Sequence, residues 1–142
     1  MNKDYQTLQN GRFAIQAQDF IIFGQPAEKA VVAEADRLGA KHVFVISTGP
    51  LNDLQNGPLQ RIVNALGSRH AGTFADIRAH SPREDVIAAA AAAREAQADL
   101  LIAVGGGSVI DASKSTLMCL WQGLDHPDAM EPYRDGAARE IR

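Results

Sequence analysis

Hydrophobic residues along the chain fall into short uninterrupted runs separated by stretches with helical spacing. Val43–Ile46 and residues 100–104 contain no polar residue, a pattern typical of parallel strands that are covered on both faces. Residues 72–77 predict a third, shorter strand. Residues 13–23 end in the β-rich run Phe-Ile-Ile-Phe, bounded by glycine and proline, and predict an N-terminal β segment of edge-strand or hairpin type.

The stretches between the runs predict helices with recognisable starts and stops. Ser81 and Ser108 are each followed three residues later by an acidic residue, Glu84 and Asp111, which resembles a capping box. An alanine-rich run favours helix after Ser81 and permits close packing on a sheet. The predicted helices cover residues 27–38 before Gly39, run from Pro58 to Gly67, start at Ser81, and run from Ser108 to about Trp121.

Strand and helix alternate with short connections, which favours a parallel sheet. The fold class is therefore α/β, an open parallel-sheet Rossmann-like nucleotide-binding domain with an N-terminal β segment. The 142 residues suit one domain, of which residues 123–142 are expected to form an irregular tail. Ligands of such sheets sit outside the carboxyl ends of the strands, where Thr48 and Gly105 both lie.

Composition narrows the classes of partner. A net charge of −3 without any Lys/Arg cluster argues against a nucleic-acid surface. No stretch reaches the length of a membrane span, and the polar start lacks an apolar export segment. The single cysteine, Cys119, is flanked by apolar residues and reads as a core residue, which fits a reducing, cytoplasmic compartment.

The richest chemical signal is the glycine turn, residues 105–108, which joins the last strand to the last helix. Backbone N–H groups at a helix N-terminus favour an anion, typically a phosphate or pyrophosphate. A dinucleotide fingerprint counted from Gly105 needs glycine at position 110, where Ile110 stands. A P-loop ending at Lys114 needs glycines at two positions that hold serine. A glycine-rich connection without a ligand is the alternative reading.

The pattern Gly-Gly-Gly-Ser-x-x-Asp-x-x-Lys resembles the iron-containing (group III) alcohol dehydrogenase family, in the dehydroquinate synthase-like superfamily. The order of the flanking elements is also similar, over about residues 12–135. The resemblance implies the N-terminal NAD- or NADP-binding domain of an oxidoreductase that transfers hydride between a nicotinamide and an alcohol or carbonyl substrate. It also implies that the pyrophosphate is held by Gly105, Gly106, Gly107 and Ser108.

Three further residues gain an expected role from the resemblance. Asp111 would lie toward the nicotinamide ribose, or act only as a helix-cap carboxylate. Lys114 reads better as a surface lysine, with a weak Asp111 pair allowed by the spacing. Many family members carry an aspartate where Thr48 stands. A neutral threonine does not repel a 2′-phosphate, so the choice between NAD and NADP is open.

The chain supplies no recognisable metal site. In the resembled family, Fe²⁺ or Zn²⁺ polarises the reacting oxygen and is held in a C-terminal helical domain, which we expect these 142 residues not to include. The four histidines lack a metal-ligand spacing. We therefore expect a chain that is inactive alone, either a homo-oligomer or paired with the missing half. The rival interpretations are a non-catalytic nucleotide- or phosphate-binding module, with FMN as a distant option, and a structural subunit.

Overall fold

The computed structural model describes residues 19–134, in which helices and strands alternate in the expected order. The strands are β1 (Val43–Ile46), β2 (His70–Phe74) and β3 (Leu100–Ala103). The helices are α1 (Ala27–Leu38), α2 (Gly49–Asn52), α3 (Pro58–Leu66), α4 (Arg83–Glu95) and α5 (Gly107–Gln122), with 3₁₀ helices at Gly67–Arg69 and Pro127–Tyr133.

The three strands form one parallel sheet in the order β2-β1-β3. Ile46 at the end of β1 pairs with Phe74 of β2 and Ala103 of β3, so the carboxyl ends of all three strands meet at one edge. The predicted open parallel α/β sheet is confirmed. Its consequence is that the loops after the three strands lie next to one another.

The central strand β1 is buried on both faces, as its apolar run predicts. Val43 and Val45 contribute to a hydrophobic cluster with residues of α1 and α3. Phe44 and Ile46 contribute to a second cluster with residues of α4 and α5. Successive side chains of β1 therefore point to opposite faces of the sheet, and each face is covered by a pair of helices.

The expectation that residues 100–104 are covered on both faces is wrong. Leu100, Leu101 and Ile102 are only partly buried and Ala103 is exposed. The cause is topological, because β3 is an edge strand of the described sheet. The apolar run therefore predicted the strand correctly but did not predict that the strand lies at the edge of the described sheet.

The N-terminal β segment is not found where it can be checked. Residues 13–18 lie outside the described part of the chain, and residues 19–23 contain no strand. Phe20 and Phe23 are exposed, and Phe20 lies 5.0 Å from the Arg37 guanidinium. Strand preference reflects packing against a sheet neighbour, and no strand within residues 19–134 pairs with residues 19–23.

The region after α5 is more regular than expected. In place of irregular backbone, Pro127–Tyr133 forms a 3₁₀ helix that contacts α4. Arg83 of α4 forms an ion pair with Glu131 of this helix, with 2.6 Å between Nη2 and Oε2. None of the helices within residues 19–134 combines the length and apolar character needed to cross a membrane.

Candidate functional site

A cavity of about 780 Å³ opens at the sheet edge where the strand ends meet. This volume lies in the range of small-molecule and cofactor sites. The cavity brings together loops that are far apart in the sequence, as predicted for Thr48 and the glycine turn. Its lining consists of Thr48, Gly49 and Pro50 after β1, Asp76, Ile77, Arg78 and Ala79 after β2, Asp85 of α4, and Gly106, Gly107, Ser108 and Val109 at the start of α5.

Gly105 shapes the glycine turn without lining the cavity. Its φ of +157° is a conformation that side-chain-bearing residues rarely adopt. A Cβ at this position would lie 2.6 Å from Cγ2 of Val109, which is itself buried. The tight turn from β3 into α5 therefore requires glycine at position 105.

Gly106 and Gly107 leave the helix N-terminus open. A Cβ at either position would meet no atom within 4 Å. The amides of Val109 and Ile110 both donate to the carbonyl of Gly106. Within residues 19–134, the N–H groups of Gly107 and Ser108 have no acceptor, so they remain available to a ligand oxygen.

A strained loop holds Ser108 in place. The His80 amide donates to Oγ of Ser108 at 3.1 Å, and the Ser81 hydroxyl donates to the Ser108 carbonyl at 2.6 Å. His80 and Ser81 have φ values of +64° and +51°, in the left-handed region. Each such residue costs on the order of 1–3 kcal/mol, a cost tolerated where the surrounding structure enforces it, often at functional sites.

Both predicted serine caps are therefore wrong. The N-cap residues are Pro82 for α4 and Gly106 for α5, and neither helix has a side-chain cap. The two serines bond across the loops instead of along their own helices. The Ser108 hydroxyl accepts from His80 and keeps its own proton available for a ligand.

Thr48 stands beside the glycine turn because the two strand ends are tied together. The buried Ser47 hydroxyl donates to the Val104 carbonyl at 2.8 Å, and the Val104 amide donates to the Ile46 carbonyl at 2.9 Å. Thr48 is the N-cap residue of α2, yet its side chain makes no cap hydrogen bond. Its hydroxyl therefore stays available at the cavity wall.

Asp111 is placed differently from the other predicted residues. It is exposed, one turn into α5, and is not part of the cavity wall. The alternative cap role is absent, since α5 has no side-chain cap. Lys114 is also exposed, and the described residues include no ion pair between it and Asp111. The expected contact of Asp111 with the nicotinamide ribose stays a prediction.

Arg78 and Asp85 form an ion pair in the cavity wall, and neither residue was predicted from the sequence as part of the site. The Arg78 side chain reaches Asp85 through Nη2 at 2.7 Å and Nε at 3.1 Å, and its backbone amide donates at 2.9 Å. These side-chain hydrogen bonds hold the pKa of Asp85 below its usual range, against the opposing effect of burial. The pair fastens the loop after β2 to the first turn of α4.

Asp85→Asn is expected to lower the free energy of unfolding by about 1–2 kcal/mol at neutral pH, because a hydrogen-bonded carboxylate is lost. Because the pKa of Asp85 is lower in the folded state, its carboxylate stabilises the fold at pH values above the unfolded-state pKa, about 3.9 for aspartate. This stabilisation disappears as pH falls through the folded-state pKa. The difference between wild type and variant should be constant above about pH 5 and shrink below about pH 4. Urea denaturation from pH 2 to pH 8 measures it. Glu84→Gln, an exposed neighbour, should show no such loss, and equal curves for both variants would contradict the assignment.

A metal site is a separate question. Residues 19–134 hold no group of three or more His, Cys, Asp or Glu side chains placed to bind a metal ion. Three or four such ligands are the usual minimum for a catalytic transition metal. The described residues therefore do not fit the iron named for the resembled family.

The fold and the cavity define a class of protein. A parallel sheet with its strand ends facing an open glycine turn at a helix N-terminus is the arrangement of α/β proteins that bind ligands with anionic groups. Comparison with known sequences identifies the family. Residues 19–139 match the family model described as "Iron-containing alcohol dehydrogenase". The chain belongs to the iron-containing alcohol dehydrogenase family.

Individual relatives agree with the family assignment. Maleylacetate reductase 2 of Cupriavidus pinatubonensis is 41% identical over 95 residues, which are 67% of this chain and 25% of that protein. Maleylacetate reductase of Sphingobium indicum is 34% identical over 112 residues, 79% of this chain and 29% of that protein. Long-chain-alcohol dehydrogenase 1 of Geobacillus thermodenitrificans is 36% identical over 95 residues, 64% of this chain and 23% of that protein.

Solved structures show the same relationship. The crystal structure of maleylacetate reductase from Agrobacterium tumefaciens matches with a TM-score of 0.65 and 29% identity, over 78% of this chain and 30% of that one. Maleylacetate reductase from Rhizobium sp. strain MTP-10005 matches with a TM-score of 0.64 and 31% identity, over 78% and 30%. The matched part of the chain thus spans 23–30% of the length of these relatives.

Proposed function

We propose that the cavity binds the pyrophosphate of NAD or NADP, and that the chain is the cofactor-binding part of an oxidoreductase of this family. The observation that carries the proposal is the open N-terminus of α5. The amides of Gly107 and Ser108 have no acceptor among residues 19–134, and they border a cavity of about 780 Å³. Gly106 and Gly107 carry no side chain and have open space where a Cβ would lie, so a phosphate can approach the backbone closely.

Each residue of the turn has a separate task in this proposal. Gly105 makes the tight turn, and Gly106 and Gly107 keep the approach free. Ser108, held by His80 and Ser81, presents its amide and its hydroxyl proton. The positive end of the α5 dipole adds to the attraction for an anion. No moving part is needed, so the donors are in place before the ligand arrives.

The cofactor would supply hydride transfer between its nicotinamide and an alcohol or carbonyl substrate. This chain's own residues would bind and orient the cofactor, while substrate contacts would come from elsewhere. We propose that the chain alone has no dehydrogenase activity and works with a C-terminal part, in the same chain or another. We also propose a cytoplasmic location, which fits a chain whose single cysteine, Cys119, is free and cannot form a disulfide within the chain.

Titrating the 142-residue chain with NADH and with NADPH, followed by nicotinamide fluorescence, tests the binding proposal. We expect weak but saturable binding of at least one cofactor, because the pyrophosphate donors are present while much of a complete enzyme's cofactor cleft is not. Inorganic pyrophosphate should compete with the bound cofactor. Absence of saturable binding to either cofactor would overturn the proposal, and calorimetric binding of inorganic pyrophosphate in the absence of cofactor binding would favour a phosphate-binding module.

A further inference from the structure

The loop after β2 places an acidic side chain in the same cavity as Thr48. Asp76 lines the cavity and is exposed. Among the described residues its carboxylate has no hydrogen-bond or ion-pair partner, so its oxygens are free to meet solvent or a ligand. A carboxylate that faces a ligand cavity without an internal partner can accept hydrogen bonds from the ligand.

Backbone contacts fix Asp76 next to the loop after β1. The Ser47 amide donates to the Phe74 carbonyl at 2.8 Å, and the Ile77 amide donates to the Ser47 carbonyl at 3.3 Å. The Ala75 carbonyl oxygen would lie 3.9 Å from a Cβ built on Gly49. Asp76 therefore sits directly beside Thr48 and Gly49, one strand further from the glycine turn.

The other charges around this end of the cavity do not offset the carboxylate. Arg78 is the cation in the cavity wall, and Asp85 engages it through Nε, Nη2 and the backbone amide. That pair is close to neutral as a unit. Thr48, beside Asp76 in the same wall, has no charge. The remaining charge at this wall is the negative charge of Asp76.

We propose that Asp76 accepts a hydrogen bond from the adenosine ribose of the cofactor and thereby selects NADH over NADPH. The proposal rests on the proposed function, since it assumes a pyrophosphate at the glycine turn. In dinucleotide-binding folds the strand beside the glycine turn carries an acid for the ribose hydroxyls, and an arginine accommodates a 2′-phosphate. Here the acid comes from the next strand along the sheet, and the available arginine is already paired. A 2′-phosphate would face an uncompensated carboxylate in a partly enclosed cavity.

The substitution Asp76→Asn tests this by removing the charge and keeping the shape. Dissociation constants for NADH and NADPH are measured on the 142-residue chain. We expect wild type to prefer NADH by about tenfold or more, and Asp76→Asn to shrink that preference by about tenfold, with weaker NADH and tighter NADPH binding. Asp76 has no internal partner, so thermal unfolding followed by circular dichroism should be unchanged.

Asp53→Asn is the matched control. Asp53 is exposed at the end of α2 and is not part of the cavity wall, so this variant makes the same change in net charge. It should leave the ratio of the two dissociation constants within about twofold of wild type. If the chain binds cofactor but Asp76→Asn leaves the ratio of the NADH and NADPH dissociation constants unchanged, the role of Asp76 is overturned while the proposed function stays intact. Failure of wild type to bind either cofactor would overturn both.

Discussion

Gly105→Ala is expected to lower the free energy of unfolding by about 2–4 kcal/mol, the largest loss for any single methyl group in this turn. The added Cβ would lie 2.6 Å from Cγ2 and 3.0 Å from Cβ of Val109. Val109 cannot move away, because it is buried in the cluster shared by α4 and α5. The φ of +157° at Gly105 adds backbone strain once a side chain is present. Urea denaturation at neutral pH measures the loss.

Gly107→Ala is the control for this prediction. It introduces the same methyl group two residues later, where a Cβ meets nothing within 4 Å. Alanine is the better helix former, so stability should stay equal or rise by less than about 1 kcal/mol. Equal destabilisation by both substitutions would contradict this prediction, because the contact with Val109 would then not be the reason that position 105 requires glycine.

Gly106→Asp is expected to weaken NADH binding on the order of 100-fold without loss of stability. Gly106 is the N-cap of α5, with φ −88° and ψ −162°, a conformation open to any residue. Aspartate is a favoured N-cap, so stability should be unchanged or a few tenths of a kcal/mol higher. Its carboxylate would accept from the same free amides and repel the cofactor's pyrophosphate. Fluorescence titration and thermal unfolding, measured on one preparation, separate the two effects.

Gly106→Asn distinguishes charge from occupancy. The asparagine side chain has nearly the same size and caps a helix about equally well, but it is neutral. It should therefore weaken NADH binding clearly less than aspartate does. If both variants bind NADH as wild type does, the pyrophosphate does not lie at the N-terminus of α5.

The sequence predicted the fold best where local pattern and burial agree. Val43–Ile46 is apolar throughout and is buried on both faces of the sheet. The helix expected over residues 27–38 has those same bounds, because a left-handed Gly39 ends it. Pro58 likewise opens α3 as expected. In these segments a residue's own preference and its tertiary environment point the same way.

Prediction failed where a tertiary contact overrides the local preference. Ser81 and Ser108 have the composition of helix caps, yet each bonds the other's loop. The apolar run at residues 20–23 forms no strand and has no sheet partner within residues 19–134. Whether a serine caps its own helix or bridges two loops depends on contacts across 27 residues or more, which no local pattern reports.

The candidate site was predicted in part for the same reason. The glycine turn and Thr48 could be assigned because both follow recognisable apolar strands. Asp76 and Arg78 were missed because the predicted strand ran to residue 77, while β2 ends at Phe74. With the strand end three residues earlier, the rule that ligands sit beyond strand ends would have included both. Strand boundaries are set by pairing with β1, which the sequence does not display.

The free amides at the start of α5 are proposed to hold the cofactor's pyrophosphate. A ¹⁵N-labelled chain titrated with NADH and recorded by two-dimensional amide NMR tests it residue by residue. We expect the largest shifts on the amides of Gly106, Gly107 and Ser108, with smaller shifts at Thr48 and Gly49. A separate cavity of about 480 Å³ is lined by residues of α4, β3 and α5, Leu101 and Trp121 among them. Shifts centred on that cavity, or unmoved amides at the glycine turn under saturating NADH, would contradict the proposal.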